Sequence, residues 1–405
     1  MRIPIILLLT LSLFWYGCEE FLPDAPAENE VLDGPIDGLT MEQQRIFAAG
    51  DEAFNELFTP LTGLGPIFVA QSCGSCHAGD GKGHPSTTLT RFGRFENGIF
   101  DHLLSQGGPQ LQNRAIPGFT LEVLPVEATG VTELVAPSVT GLGLLAAVPD
   151  QTLLDLVEKQ KKLGLVSGEV SLIDPPDFFV PQPFHIANPQ GQYIGRFGKK
   201  AGAIDLLHQT VSAYKQDMGI TSEFDPVDPI NFSVSASNTD AVEDPEVFTS
   251  TINSLVFYLR TLKPPLPRDD QQPAVLSGKD TFTAIGCGNC HLPEMETGPS
   301  DLEIFANKKF HPYTDLLLHD MGSELDDGYV DGSELSPEWR TPPLWGLGLA
   351  ADAQGGEVFL LHDGRAKSIE AAIEFHGGEA SLSREQYGSL SDREREDLIQ
   401  FLESL

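Results

Sequence analysis

Two stretches of the chain place apolar residues at the same helical spacing. Leu255-x-x-Tyr258-Leu259-x-x-Leu262 and Leu398-x-x-Phe401-Leu402-x-x-Leu405 each gather their large side chains on one face of a helix. Upstream of each lies a second matching pattern. Gly50-Asp51-Glu52-Ala53-Phe54 leads to Cys73-Gly74-Ser75-Cys76-His77, and Gly278-Lys279-Asp280-Thr281-Phe282 leads to Cys287-Gly288-Asn289-Cys290-His291. A pattern repeated in this order predicts two related α-helical units. Helices are expected near residues 40–58, 151–163, 202–217, 246–262, 368–376 and 391–404, and strand signals are sparse. The proline-rich run Lys263–Asp270 stops the first closing helix and makes a short stiff linker, so the units are placed at residues 41–265 and 268–405. The first is longer, and its Pro- and Gly-rich stretches at 174–189 and 225–245 read as loop insertions.

The N-terminus follows a different pattern. Residues 1–17 join one positive charge to a short apolar run, as in an export signal, and are too short to cross a bilayer comfortably. The Gly17-Cys18 junction resembles a bacterial lipoprotein signal, in which Cys18 would be acylated. Trp15 and Tyr16 are bulky for that motif, which leaves a plain signal peptide or an uncleaved anchor as alternatives. Residues 18–40 then read as a solvated tether. The expected location is a membrane-anchored lipoprotein facing the periplasm, touching the membrane through its lipid alone.

With 405 residues and 40% apolar content, two ordinary domains can each bury a core. A formal charge of -34 argues against a nucleic-acid partner. Such a surface would steer a small basic redox protein, or would serve only to keep the protein soluble.

All five cysteines have a use: Cys18 in the lipid anchor and the other four in two Cys-x-x-Cys-His motifs. In that motif two thiols add across the vinyl groups of one haem edge and the adjacent His reaches the iron. Cys73, Cys76 and His77 would hold one c-type haem, and Cys287, Cys290 and His291 a second. The competing readings are a redox dithiol and a zinc site, but zinc would want the paired cysteines within one fold, and here they lie in separate repeats. For a sixth ligand the candidates are His84, His102, His185, His208, His311, His319, His362, His376, Met41, Met218, Met295 and Met321.

Several further segments carry a resemblance across about residues 40–405. They are Ala136-Pro137-Ser138, Gly195-Arg196-Phe197-Gly198, Asp217-Met218-Gly219, Leu318-His319-Asp320-Met321-Gly322, Glu338-Trp339-Arg340-Thr341-Pro342-Pro343-Leu344-Trp345-Gly346, His362-Asp363-Gly364-Arg365 and His376-Gly377-Gly378-Glu379-Ala380. The chain resembles the bacterial di-haem oxidoreductases, relatives of di-haem cytochrome c peroxidases and of the di-haem enzyme that matures methylamine dehydrogenase. The resemblance implies a mainly α fold of two cytochrome c-like domains in tandem, each with one covalent haem. It also implies peroxidase-like activity, with electrons entering at the C-terminal haem and hydrogen peroxide or a small substrate reacting at the N-terminal one. By the same resemblance His376 is the distal ligand of the His291 haem, with Met321 as alternative. Gln209 and Asp217 are the acid/base candidates, Asp217 alternatively serving only the turn before Gly219, and His362 lies near that pocket. A calcium ion between domains is a feature of the relatives, with Thr341 and Pro343 in the matching segment. The relatives also place a Trp relay between the haems where this chain has Lys199, so direct transfer or a relay through Phe197 or Tyr193 would have to serve. A non-catalytic electron-transfer lipoprotein is the runner-up function, and a haem- or iron-handling protein with a membrane partner is a third.

Overall fold

The computed structural model describes residues 26–234 and 240–405. The export signal and Cys18 lie outside the described residues. No described helix is long and apolar enough to cross a membrane.

The repeated sequence pattern folds into two helix pairs. In the first, α1 (Met41–Asn55) packs on α4 (Thr249–Thr261), with α2 (Asp150–Leu163) and α3 (Leu206–Met218) between them in sequence. In the second, α5 (Pro273–Ala284) packs on α7 (Asp392–Ser404), with the short α6 (Ile369–Glu374) intervening. Local chemistry sets the ends. Thr40 and Ser391 each form a capping box, with Gln43 and Glu394 respectively. Asp205 accepts from the His208 amide at the start of α3, and Gly219 at φ +70° closes that helix. The sequence pattern did not mark α5 as a helix. It starts at Pro273, in the first-turn position where proline fits, and buries Val275, Gly278 and Phe282.

The repeated glycines are the crossing points of the pairs. A Cβ on Gly50 would run into the Ser254 carbonyl and lie 2.5 Å from Tyr258 Cβ. A Cβ on Gly278 would run into the Asp397 carbonyl and lie 2.7 Å from Phe401 Cβ. Tyr258 and Phe401 occupy the same place in the two closing patterns. Each also meets the equivalent phenylalanine of its partner helix, Phe54–Tyr258 and Phe282–Phe401 both at 5.4 Å between centroids. Gly-x-x-x-Phe is therefore the contact stripe of a close helix crossing.

Strand is more frequent than the sequence suggested. β1 (Leu89–Glu96) is the centre of a three-stranded antiparallel sheet, flanked by β2 (Ile99–Asp101) and β3 (Gly130–Leu134). Asn97 and Gly98, at φ 53° and 82°, form the β1–β2 turn, an Asn-Gly hairpin signal that was present in the sequence. A second hairpin pairs β4 (Leu318–Asp320) with β5 (Glu338–Arg340), setting His319 opposite Trp339. The architecture is thus mostly helical with small antiparallel sheets. Besides a core within each helix pair, a third core joins Leu144, Leu145, Val148 and Leu153 to Phe305, Phe310, Leu317 and Trp345 across the linker.

If the glycines carry the crossings, Gly50→Ala and Gly278→Ala should each lower unfolding stability by about 1–3 kcal/mol, measured by denaturant titration. Exposed Gly164→Ala, beside nothing within 4 Å but at φ +67°, should cost less.

Candidate functional site

Both Cys-x-x-Cys-His motifs sit on one continuous cavity of about 1050 Å³. Each motif begins as a short helical turn, Cys73–Ser75 and Cys287–Asn289, so that its two thiols and its imidazole reach the same wall. The four cysteines are unpaired, and burial pushes the Cys73 and Cys287 thiols up to about 12, the Cys76 thiol up to about 11, and Cys290 up as well.

The histidines are oriented by carbonyls. His77 Nδ1 lies 2.8 Å from the Pro137 carbonyl and His291 Nδ1 2.9 Å from the Tyr313 carbonyl. A carbonyl only accepts, so each Nδ1 carries the proton and donates it, leaving the Nε2 lone pair free for a metal. Burial holds both imidazoles down to about 4, so they stay neutral. Pro137 is placed by the chain leaving β3, where Gly83 N donates to Ala136 O and Val135 N to His362 O.

A third imidazole has the same arrangement. His376, just past α6, donates Nδ1–H to the Ala372 carbonyl at 2.7 Å, and its ring faces that of His291 at 6.5 Å between centroids. Ring centroids 6.5 Å apart leave room for two metal–nitrogen bonds of about 2 Å each. His77 meets Phe54 at 6.0 Å, and among the described residues no second imidazole forms a ring pair with it.

The remaining candidate ligands separate clearly. His319 has both ring nitrogens committed, to Asp315 and Glu379 at 2.9 Å each. His84, His185 and His311 are held in local contacts by Ser86, the Gln182 amide and the Pro293 carbonyl, away from the cavity. Met41 is 76% exposed and Met295 is in the core between the units. His102, His208, Met218, Met321 and His362 do line the cavity.

The other predicted residues are spread along the cavity wall. Asp217, at the end of α3, accepts from Gln110 Nε2 at 2.7 Å, and its charge reaches Cys73 and Cys76. Burial pushes its carboxyl up to about 6. Gly219, not this carboxylate, makes the turn. Gln209 lies eight residues earlier on the same helix, beside Gly198, so the two do not meet at one point. His362 stacks on Trp339 at 3.9 Å and 11°, and burial lowers it to about 3. Lys200 lies 3.8 Å from the same indole ring. Phe197 lines the cavity, whereas Tyr193 packs on Phe179 and His185 and does not.

The sequence profile of a family described as "Di-haem oxidoreductase, putative peroxidase" matches residues 131–405. The chain belongs to this di-haem oxidoreductase family. The match opens beyond the first Cys-x-x-Cys-His motif and includes the second. Among solved structures, the chain is similar to hydrazine synthase of Kuenenia stuttgartiensis, at 15% identity over 95% of this chain and 98% of that one, with a TM-score of 0.36. It is also similar to a MauG-like protein associated with microbial copper homeostasis, at 16% identity over 95% of each chain, with a TM-score of 0.37. No curated protein matches the chain.

For a di-haem oxidoreductase, the cavity fits its cofactor in charge as well as in shape. The protein is strongly acidic, yet Lys82, Lys199 and Arg340 line the cavity and form no ion pair among the described residues. Burial lowers Lys82 to about 8, Arg340 to about 10 and Lys199 well below its usual range, with Lys82 and Arg340 adding to the effect on Lys199. Haem propionates are the anions such groups lack. The Tyr214 hydroxyl and the Trp345 Nε1, both buried and without a partner among the described residues, lie on residues of the same wall. Lys82, Arg91 and Tyr214 on the wall, and Gln110 behind Asp217, escaped the sequence reading, because none of them lies within a motif.

The segment matched to a calcium site does not fit that ion. The Thr341 carbonyl accepts from Thr314 Oγ1 at 2.6 Å and from the Arg340 guanidinium at 3.3 Å, and a fixed positive charge there opposes a second cation.

His319 contributes a stability term of definite sign. Burial alone would lower its pKa, but hydrogen bonds to Asp315 and Glu379 outweigh that and raise it to about 12. Its contribution is therefore full below about pH 6.5 and is lost as pH rises from there toward 12. The stability difference between wild type and His319→Gln, read from urea midpoints, should shrink between pH 6.5 and 10. A constant difference would remove the charged histidine.

Proposed function

We propose that this protein is an exported di-haem c oxidoreductase of peroxidase type. Cys73/Cys76/His77 and Cys287/Cys290/His291 would attach its haems, electrons from a small redox protein would enter at the second, and peroxide or a small substrate would react at the first. The observation that carries this reading is the asymmetry of the cavity: His291 has a facing imidazole in His376, and His77 has none among the described residues. An iron held on both sides suits electron transfer, and one held on a single side can bind a reactant. Two cytochrome c-like domains in tandem, in the sense of the two helix pairs, would be the scaffold, with Cys18 as lipid anchor at the periplasmic face of a membrane.

Haem, when bound, supplies the redox chemistry. The protein's residues would manage position and protons. Reducing hydrogen peroxide to two water molecules consumes two electrons and two protons, so an acid near neutral pH is required on the wall. Asp217, raised to about 6 and steadied by Gln110, meets that requirement. Gln209 supplies a neutral polar group beside Gly198 and Lys199. His362, neutral and stacked on Trp339, would support that indole, which stands on the cavity wall as a candidate relay where Lys199 replaces the relatives' Trp.

A specific observation favours the electron-carrier reading as well. Lys199 forms no ion pair among the described residues, and burial together with the neighbouring cations lowers its pKa well below the usual lysine range. An amine on the wall, near enough for its charge to act on His77, would offer the first iron a second ligand.

Two variants test the proposal. Oxidised His376→Ala holoprotein should show one haem converted from low to high spin, and an unchanged spectrum would remove His376 as ligand. Asp217→Asn should slow peroxide-dependent oxidation of a reduced donor protein by about 10²-fold or more, with His84→Ala unaffected. Equal rates in all three proteins would remove Asp217 from the chemistry.

A further inference from the structure

Asp228, Asp244 and Glu246 bring one carboxylate oxygen each to within 4.8 Å of one another. They come from the long insertion of the first unit, distant in sequence from both Cys-x-x-Cys-His motifs and from the Thr341 segment. Asp228 is only 6% exposed, and its Oδ1 is buried with no hydrogen-bond partner among the described residues. Glu246 Oε1 and Asp240 Oδ2, beside it, are also buried and unpartnered among the described residues. The other oxygens are held in place. Glu246 Oε2 accepts from the Thr221 amide at 2.9 Å, the Thr221 hydroxyl lies 3.0 Å from Asp244 Oδ1, and Asp240 Oδ1 accepts from Val242 N at 2.7 Å. No basic side chain forms an ion pair with any of the four among the described residues.

We propose that these carboxylates form a calcium site. The donors are all oxygen, with no thiol or imidazole, which selects a hard cation over zinc or copper. Two oxygens at calcium contact distances of 2.3–2.6 Å are at most about 5 Å apart, as these are. Irregular donors on a loop suit calcium better than magnesium, which demands near-ideal octahedral geometry. Asp244 is exposed and gives the ion a way in, while Asp228 forms the buried floor.

The site would brace the cavity. Thr221 follows the Gly219 cap of α3, and Glu246 stands just before α4. The Val247 amide also donates to the Thr221 carbonyl at 3.2 Å. An ion binding Asp228, Asp244 and Glu246 would therefore fix the end of α3, which carries Gln209, Tyr214 and Asp217 to the cavity, against the start of the closing helix.

The test uses the full-length holoprotein stripped with a calcium chelator, titrated calorimetrically with Ca²⁺ and separately with Mg²⁺, with thermal unfolding followed in parallel. One Ca²⁺ per chain should bind, more tightly than Mg²⁺, and raise the unfolding temperature. Asp228→Asn and Glu246→Gln should each weaken Ca²⁺ binding at least tenfold and abolish the thermal shift, while Asp352→Asn, remote from the cluster, should behave as wild type. Both variants remove a crowded charge, so they should fold without metal, and haem absorbance and circular dichroism would check this. No Ca²⁺ binding by the folded wild type, or binding unchanged in both variants, would overturn the proposal. The readout is independent of peroxide turnover.

Discussion

Three half-buried imidazoles each donate their Nδ1–H to a backbone carbonyl, and the design of the cavity follows from that constraint. His77 is tied to Pro137, His291 to Tyr313 and His376 to Ala372. Each bond fixes the tautomer, aims Nε2 inward and raises its basicity as a ligand. The carbonyls come from quite different places: the end of a sheet strand, a loop, and the same short helix that delivers its own histidine. The sheet, the linker-spanning core and the helix crossings at Gly50 and Gly278 serve to bring those carbonyls into register with the two motifs.

Electrostatics separates the interior from the surface. A chain of net charge -34 would repel anionic cofactors from its exterior, yet the cavity wall presents Lys82, Lys199 and Arg340 without carboxylate partners. Other buried charges on or near the wall are neutralised within the protein. Arg91 pairs with Asp331 at 2.9 Å, Arg196 with Asp150, and His319 with Asp315 and Glu379. Arg91–Asp331 joins the two halves of the chain, as does Gln160 of α2, which donates to both Asp315 and the Asn289 carbonyl of the second motif. Breaking one member would strand a buried charge, at a cost of about 3–5 kcal/mol.

Much of this was legible in the sequence because it is carried by local pattern. The two motifs, the closing helices and the Gly-x-x-x-Phe stripes all lie within a few turns of chain. The position of His376 came from a resemblance, and its facing of His291 is a property of the fold. The sheet was missed although Asn97-Gly98 is a hairpin turn, because β1 is interrupted by Gly93 and carries Arg91 and Arg94 where alternation should be apolar. The neighbours of Asp217 could not be read at all. Gln110 and Arg91 arrive from over a hundred residues away, and no spacing rule connects them to α3. Tyr193 failed as a relay candidate for a similar reason: its neighbours in sequence line the cavity, but its ring turns to Phe179.

The central claim is that one haem site is closed by a second imidazole and the other is open to chemistry. Electron paramagnetic resonance of the oxidised holoprotein, recorded before and after addition of hydrogen peroxide, tests it most directly. The account predicts one low-spin signal that peroxide leaves unchanged and one high-spin signal that peroxide alters. Two low-spin signals, both indifferent to peroxide, would contradict it and leave an electron carrier.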